Sequence, residues 1–276
     1  MTLLIHIGYS KTGSTWLQSY FSANKNFEMV ERNIISETFG HPGLFEFNSK
    51  KIKKDFQTII NKTKIKKRKL VLSNEFLSGN EYLNGGMDAS IYADRLKKVF
   101  AKAKILIILR EQRSFLLSFY KHDISFNGGF WSLKEFLNPD WHFNRRSQFL
   151  PRYLKYSGLV NYYGKLFGKK NVLVLPYEML RNEKNIFLEQ IHNFTDTRQK
   201  NYIYKNEFMN KSRSILLVEM QRILNRFFNS RPENTIRLPR RFIYLYNRYF
   251  FQYLEKIFFK NFNYNLEKKM YKKIDG

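Results

Sequence analysis

The sequence predicts an α/β fold with three layers, in which helices cover both faces of a central parallel sheet. Three observations support this prediction. Four short runs rich in Leu, Ile and Val do not alternate with polar residues, which is typical of strands buried on both faces. Helical patterns separate the runs, as the crossovers of a parallel sheet require. The first run ends at a glycine, and a turn-rich loop joins it directly to a helical pattern.

The spacing of apolar residues predicts the individual elements in order. The four runs predict strands at residues 3–8, 70–74, 104–109 and 171–175. Large apolar side chains at helical spacing predict helices at residues 16–21, 89–100, 115–120 and 186–194, with further helical patterns between a loop at 128–129 and residue 167. Residues 26–48 contain several turn residues and are predicted to be irregular.

Composition excludes several classes of protein. Phe, Tyr and Trp account for 48 of the 276 residues, whereas disordered chains are poor in aromatic residues. The absence of cysteine excludes a disulfide scaffold, a thiolate zinc site and a cysteine nucleophile. The longest aliphatic run, residues 105–109, has five residues, far fewer than the roughly 20 that span a bilayer. Lys11 interrupts any signal-peptide pattern. We therefore expect a cytoplasmic protein.

The chain has no Gly- or Ser-rich linker and no internal repeat. This favours a single domain over residues 1–276, despite a length that would also suit two domains. Residues 213–276 are rich in aromatic and basic residues and are predicted to be helical. We interpret them as a C-terminal extension of the same domain.

The chain carries 49 Lys and Arg against 23 Asp and Glu, a formal charge of +26. Residues 50–69 contain ten Lys or Arg and one acid, and residues 211–276 contain fifteen against five. Such stretches could bind an acidic polysaccharide, an anionic membrane beside a lipid-linked glycan, or nucleic acid. Solvated helix faces in a lysine-rich chain would look the same.

The loop after the first strand, residues 8–15, is predicted to bind phosphate. Its small residues let backbone N–H groups point inward, and the N-terminus of the following helix adds partial positive charge. The glycines match the spacing of the nucleotide-triphosphatase loop G-x-x-x-x-G-K-[ST]. Ser14 occupies the lysine position of that pattern, however, and the lysine is Lys11. A glycine-containing turn with a surface lysine is the structural alternative.

The strand at 104–109 is followed by Arg110. A kinase or triphosphatase needs acidic residues that hold magnesium, whereas an arginine there repels a metal ion. The sequence fits a group-transfer site without a metal ion better, and we predict that no metal is bound. Ser118 lies eight residues after Arg110, and the two could clamp a terminal phosphate.

These motifs together resemble those of the sulfotransferases that use 3′-phosphoadenosine 5′-phosphosulfate (PAPS), in the bacterial and glycan-modifying branch. Residues 10–16, Ser-Lys-Thr-Gly-Ser-Thr-Trp, match the family's first signature, P-K-[ST]-G-[ST]-[ST]-W, except for its proline. A strand followed by Arg110, with Ser118 eight positions on, matches the second signature. Residues 167–178 are similar to the family's fourth-strand region, and looser similarity extends from residue 1 to about 225.

The resemblance implies roles for individual residues. The 5′-phosphosulfate would be held by Lys11, Thr12, Gly13, Ser14 and Thr15, and Lys11 would neutralise the bridging oxygen as it leaves. Arg110 and Ser118 would bind the 3′-phosphate, while Trp16 would pack near the adenine and Tyr177 would contact it. Trp16 and Tyr177 could equally be ordinary core aromatics. The product would be 3′,5′-adenosine diphosphate (PAP).

Two residues are candidates for the base that deprotonates the acceptor hydroxyl. Glu75 follows the second predicted strand, where the glycan-modifying branch of the family places its base. His122 lies four residues after Ser118. The small-molecule branch uses a histidine on another segment and a late Gly-x-x-Gly-x-Trp-Lys element, which this chain lacks. The alternatives are a solvated or capping carboxylate and a plain helix histidine.

A basic, hydroxyl-rich loop provides two further candidates. Lys211 and Arg213 lie where the family's later nucleotide-contacting segment falls, and a solvated helix N-terminus explains them equally well. The sequence thus predicts an O-sulfotransferase whose acceptor is a glycan, cytoplasmic or lipid-linked at the inner membrane surface. The alternatives are an atypical kinase or nucleotide triphosphatase, and a polyanion- or membrane-binding protein with a relic loop. Nucleic acid is the least favoured partner.

Overall fold

A parallel sheet organises the first part of the computed structural model, which describes residues 3–81, 85–137, 149–198 and 213–228 together with Tyr249 and Tyr253. Within these residues the sheet has five strands: β1 (Leu4–Gly8), β2 (Phe27–Met29), β3 (Lys69–Ser73), β4 (Lys104–Leu109) and β5 (Val172–Pro176). Their order is β2-β3-β1-β4-β5, and every neighbouring pair is parallel. The loop after β1 therefore begins between the carboxyl ends of β3 and β4, where open α/β sheets bind ligands.

Ten helices occupy the described ranges. They are α1 (Ser14–Ala23), α2 (Arg32–Ile35), α3 (Ser49–Ile65), α4 (Ala89–Val99), α5 (Gln112–Asn127), α6 (Leu133–Leu137), α7 (Tyr156–Phe167), α8 (Tyr177–Asn182), α9 (Lys184–Thr195) and α10 (Ile215–Phe228). Short 3-10 turns lie at Glu75–Ser78, Pro151–Leu154 and Lys169–Asn171, and a wider turn lies at Ser36–Gly40.

Side chains of the strands alternate between two cores. Ile5 and Ile7 of β1 pack on one face of the sheet with buried residues of α3, α4 and α7. Leu4 packs on the other face with buried residues of α1, α8 and α9. Each fully buried Leu or Ile contributes about 1.5–3 kcal/mol of hydrophobic stabilisation. The predicted arrangement of three layers around a parallel sheet is confirmed.

The described chain divides into two compact units. The first contains the sheet, with described residues up to Glu111 and from Leu150 to 198. The second contains α5, α6, Phe149 and α10. In the second unit, Gln221 and Asn225 of α10 donate side-chain hydrogen bonds to the carbonyl oxygen of Ile124 at 3.2 and 2.9 Å. These bonds fix α10 to α5. The single domain over 1–276 stays a prediction, and most of the proposed C-terminal extension lies outside the described residues.

The four predicted strands correspond to β1, β3, β4 and β5. The prediction that residues 26–48 are irregular is wrong, because β2, α2 and the turn at Ser36–Gly40 lie there. β2 has only three residues at the sheet edge, too few to show a pattern. No helix is predicted at residues 50–69, whose sequence indicates only a high positive charge. Most of them form α3, whose apolar side chains, such as the buried Phe56, are outnumbered by lysines.

Candidate active site

The loop between β1 and α1 has the backbone conformation of an anion-binding loop. Lys11 and Gly13 both adopt left-handed conformations, with φ of 62° and 82°. A left-handed residue between right-handed ones turns successive N–H groups toward one point, which makes a concavity for an anion. For Lys11 this conformation costs of order 1–3 kcal/mol, a cost typical of functional sites. Gly13 is the N-cap of α1, so no capping side chain competes for the first N–H groups of that helix.

Two glycines of the loop leave no room for a side chain. A Cβ atom on Gly8 would lie 2.9 Å from His6 Nε2 and 3.1 Å from both Thr12 Oγ1 and Ser14 Oγ. A Cβ atom on Gly13 would lie 2.9 Å from Leu180 and 3.1 Å from the ring of Tyr177. The loop therefore packs closely on α8, and its hydroxyl groups turn inward. Such a cradle of N–H and hydroxyl donors fits a phosphate or sulfate group.

Lys11 and Arg110 come together at the edge of the sheet. Arg110, the residue after β4, donates from Nη1 to the carbonyl oxygen of Lys11 at 2.8 Å. Burial, and next the charge of Arg110, lower the pKa of the Lys11 ammonium, while the charges of Glu81 and Glu75 oppose this. A bound anion would relieve the unfavourable proximity of the two cations. The site is therefore electrostatically built for a negatively charged ligand.

Arg110 is itself held by two tyrosines. Its guanidinium lies over the ring of Tyr177, 4.9 Å from the centroid. The Tyr156 hydroxyl donates to the Arg110 carbonyl oxygen at 2.8 Å. These contacts orient Arg110, and sequence patterns gave no reason to expect Tyr156 beside it.

Two carboxylates act electrostatically on Lys11. Glu75 lies in the 3-10 turn after β3 and accepts from Arg32 Nη2 at 2.9 Å, with 22% of its side chain exposed. Glu81 follows in the same connection, and its burial raises the pKa of its carboxyl group. The position of Glu75 after a predicted strand marks it in the sequence, whereas Glu81 could not be predicted. No motif marks Glu81, and only its closeness to Glu75 in the chain could have drawn attention to it.

A cavity of about 270 Å³ lies beside the start of the loop. Tyr9 forms part of its wall and packs edge-on against Tyr153, with ring centroids 4.7 Å apart. The other lining residues are mixed: the polar or aromatic Ser78, Ser90, Arg152, Lys155 and Tyr162, the apolar Met87, Ala89 and Leu159, and three glycines. The cavity therefore presents both apolar surface and hydrogen-bonding side chains.

Comparisons with known proteins identify the family. A family model described as a sulfotransferase domain matches residues 2–230. The chain belongs to the sulfotransferase family. A sulfotransferase from Alicyclobacillus acidocaldarius has a similar fold, with a TM-score of 0.52, 18% identity and coverage of 80% of this chain and 90% of that one.

Two further solved structures are more distantly similar. The sulfotransferase domain of the Synechococcus PCC 7002 olefin synthase gives a TM-score of 0.45 at 12% identity, over 87% of this chain and 89% of that one. Mouse sulfotransferase SULT7A1, complexed with PAP, gives 0.42 at 16% identity, over 72% and 61%. No curated protein matches the sequence.

The aromatic residues predicted near the adenine differ in their surroundings in this sulfotransferase. Trp16 is 7% exposed and stacks on Tyr20, with ring centroids 5.8 Å apart. The ammonium group of Lys184 lies 5.2 Å from the Trp16 ring centroid. Tyr177 lies beside Gly13 and Arg110, at the loop itself. Both contacts with adenine stay predictions.

The loop hydroxyls also differ. Thr12 is buried and donates to the carbonyl oxygen of Tyr9. Ser14 is 5% exposed, and its Oγ has no hydrogen-bond partner in the part of the chain that the structure describes. Thr15 is exposed on α1. Ser14 therefore has an unused hydroxyl group inside the cradle.

The remaining predicted site residues of the sulfotransferase belong to the second unit or fall outside the described residues. Ser118 and His122 are half-buried on α5 in the second unit, and the His122 ring lies 4.8 Å from that of Phe126. Arg213, also in that unit, is buried rather than solvated and donates to Gln221 Oε1 at 2.8 Å. Lys211 lies outside the described residues. The roles of all four stay predictions.

Two kinds of feature are absent from the described residues. No group of three or more His, Asp or Glu side chains there is arranged to hold a metal ion. In the same ranges, no helix combines the length and hydropathy needed to cross a bilayer.

Proposed function

We propose that this sulfotransferase is an O-sulfotransferase that uses PAPS as donor and releases PAP. The observation that carries the proposal is the contact between Arg110 and the backbone of Lys11 at the carboxyl edge of the sheet. This contact holds two cationic residues beside a loop that contains left-handed residues and hydrogen-bond donors facing inward. The sulfotransferase signatures at residues 10–16 and at Arg110 support PAPS as the anion.

The residues present fit the donor. Backbone N–H groups and the Ser14 hydroxyl of the loop would hold its 5′-phosphosulfate, and Arg110 would bind its 3′-phosphate. Bound there, PAPS supplies an activated sulfuryl group. Lys11 would hold its positive charge at the phosphate oxygen that is released, which lowers the energy of the charge developing there.

Glu75 would take the proton of the acceptor hydroxyl. In the transfer, the acceptor oxygen forms a bond to sulfur, the bond from sulfur to the phosphate oxygen breaks, and the proton passes to the Glu75 carboxylate. Arg32, which donates to Glu75 at 2.9 Å, would orient that carboxylate. Glu75 follows β3, and β3 lies beside β1 in the sheet. Glu75 is therefore at the same edge of the sheet as the loop.

We further propose that the acceptor is a glycan hydroxyl. The position of Glu75 and the lack of a Gly-x-x-Gly-x-Trp-Lys element favour this acceptor class. The cavity beside Tyr9 has the side chains of Ser78, Arg152 and Lys155 in its wall, which could hydrogen-bond to one sugar residue. The exposed lysines of α3 would attract an acidic or lipid-linked glycan, or the anionic surface of the inner membrane facing the cytoplasm.

A thermal-shift titration tests the proposal. PAP in EDTA at 100 times its Kd should stabilise the protein by about 2.7 kcal/mol, or roughly 5–10 °C in Tm. ATP with magnesium should shift Tm much less. The Lys11→Ala variant should lose the PAP shift, while Lys98→Ala, an exposed lysine on α4, should keep it. Stabilisation by ATP with magnesium alone would contradict the proposal and indicate a kinase or triphosphatase.

A further inference from the structure

A buried polar network lies directly beneath the loop, and neither the signatures nor the proposed reaction uses it. His6 of β1 is 1% exposed and lies opposite Ser73 of β3 in the sheet. His6 Nδ1 and Ser73 Oγ are 2.7 Å apart. Gln18 of α1 donates from Nε2 to the same Ser73 oxygen at 3.2 Å. The network therefore joins the strand, the helix after the loop and the strand that leads to Glu75.

The hydrogen bonds available in the network determine which nitrogen of the His6 ring carries the proton. Ser73 is fully buried, and within the described part of the chain its hydroxyl group hydrogen-bonds only with His6 and Gln18. If the Ser73 hydroxyl donates to Nδ1, every polar group of the network is satisfied except an N–H at His6 Nε2. The other tautomer would leave both the Ser73 proton and the Nε2 lone pair without partners. Buried polar groups without partners are costly, so the tautomer with hydrogen on Nε2 is preferred.

The ring is neutral in this setting. Burial lowers the pKa of His6 to about 3, far below physiological pH. The Nε2 atom is buried and has no hydrogen-bond partner among the residues that the structure describes. A neutral, pre-oriented N–H donor is thus held below the loop without an acceptor.

Gly8 has no side chain between the His6 Nε2–H group and the hydroxyl groups of the loop. It follows His6 by two residues in β1, so both positions face the same side of the sheet. The point where a Gly8 side chain would begin is 2.9 Å from His6 Nε2 and 3.1 Å from Ser14 Oγ. Ser14 Oγ is buried and also lacks a partner in the described ranges, whereas Thr12 Oγ1 already donates to Tyr9. Of the two hydroxyl groups beside Gly8, Ser14 is therefore the one available to His6.

We propose that His6 is a positioning residue of the donor site, whose Nε2–H group orients the Ser14 hydroxyl so that its proton points at the bound anion. In this arrangement Gln18 donates to Ser73 and Ser73 donates to His6. When an anion binds, His6 Nε2–H would donate to the Ser14 oxygen, a bond that the structure does not contain. Ser14 then has a single free donor, aimed into the loop. The inference rests on the proposed function in one respect, that the anion is the phosphosulfate end of PAPS.

Two substitutions of His6 distinguish the contributions of its two ring nitrogens. His6→Asn keeps a polar group near Nδ1 for Ser73 but removes the donor toward the loop. His6→Gln keeps an N–H near Nε2 but loses the contact with Ser73. By isothermal titration in EDTA, His6→Asn should bind PAP about tenfold more weakly than wild type, whereas His6→Gln should stay within about threefold. A purely structural histidine would weaken thermal stability in both variants without this order of affinities.

Ser14→Ala shows whether His6 acts through the hydroxyl. Once Ser14→Ala is present, adding His6→Asn should weaken PAP binding by less than about twofold. A further tenfold loss would show that His6 acts without Ser14 and would overturn the proposed relay.

Ring-nitrogen NMR of wild-type protein tests the inference even if a variant fails to fold. We expect a neutral His6 ring with hydrogen on Nε2, and a shift of that resonance when PAP binds. Hydrogen on Nδ1, or a resonance unchanged by bound PAP, would overturn the inference. If wild-type protein does not bind PAP at all, the proposed function fails instead, and the tautomer without ligand still decides the arrangement of the network.

Discussion

The loop after β1 and helix α3 are both basic, but they hold their charge in opposite ways. Lys11 is half-buried and left-handed, and its backbone oxygen accepts a hydrogen bond from Arg110. In α3 the lysines at residues 50, 51, 53 and 54 are exposed along the first turns of the helix. The loop has few cations with fixed surroundings, and α3 has many with solvated ones.

The difference shows why net charge is a poor guide to this chain. Exposed cations are screened at physiological salt and contribute mainly to long-range attraction. Cations held close together in a partly buried site interact much more strongly with a ligand. The formal charge of +26 therefore says little about the reaction, and the positions of Lys11 and Arg110 say much more.

Lys11→Ala should have the largest effect of any change in either region. Without the ammonium group, charge on the released phosphate oxygen is left unneutralised, and transfer should fall by about 10³-fold. The measurement is PAP release from PAPS in the presence of oligosaccharide acceptors. Lys53→Ala on α3 is the matched control and should change PAP release by less than about twofold. Equal losses in the two variants would erase the distinction between the regions.

Glu75→Gln should come next, with PAP release reduced by about 10²-fold or more because the general base is lost. Its affinity for PAP should be unchanged, since Glu75 is proposed to contact the acceptor. Glu81→Gln is the matched comparison, because Glu81 also acts electrostatically on Lys11. A larger loss in Glu81→Gln than in Glu75→Gln would move the role of the base to Glu81.

Arg110→Ala should weaken PAP binding by roughly 10–100-fold, as expected for loss of a charged hydrogen bond. Binding of 5′-AMP, which has no 3′-phosphate, should weaken by less than about threefold. The pair of ligands, measured by titration calorimetry, isolates the 3′-phosphate. Equal losses for PAP and 5′-AMP would contradict the role proposed for Arg110.

The smallest expected effect concerns stability at low pH. Burial lowers the pKa of His6 from 6.5 to about 3. Between these values the unfolded chain binds a proton that the folded protein does not, so the free energy of unfolding falls as pH falls. The loss is up to about 1.4 kcal/mol per pH unit. From pH 6.5 to 5, wild type should lose about 2 kcal/mol more than His6→Asn in urea unfolding. Parallel pH profiles would show that His6 is not held neutral.

Much of the fold and the centre of the site could be predicted from the sequence. Strands buried on both faces leave long apolar runs, and the loop signature locates Lys11 and Arg110 because their positions in the chain are fixed by the strands before them. β2 could not be predicted, because its edge pairing depends on β3 rather than on its own three residues. Glu81 and Tyr156 could not be predicted either, because tertiary packing alone brings them to the loop. The role proposed for His6 could not be predicted either, because only its contact with Ser73 fixes the orientation of its ring.

The central claim is that the loop cations, and not the total charge, make the donor site. Titration calorimetry with PAP in EDTA tests it on wild type, on Lys11→Ala, and on a variant with Gln at Lys50, Lys51, Lys53 and Lys54. We predict the same PAP affinity for wild type and the fourfold α3 variant, and a loss of at least tenfold for Lys11→Ala. Loss of PAP binding in the α3 variant with binding retained in Lys11→Ala would contradict the claim.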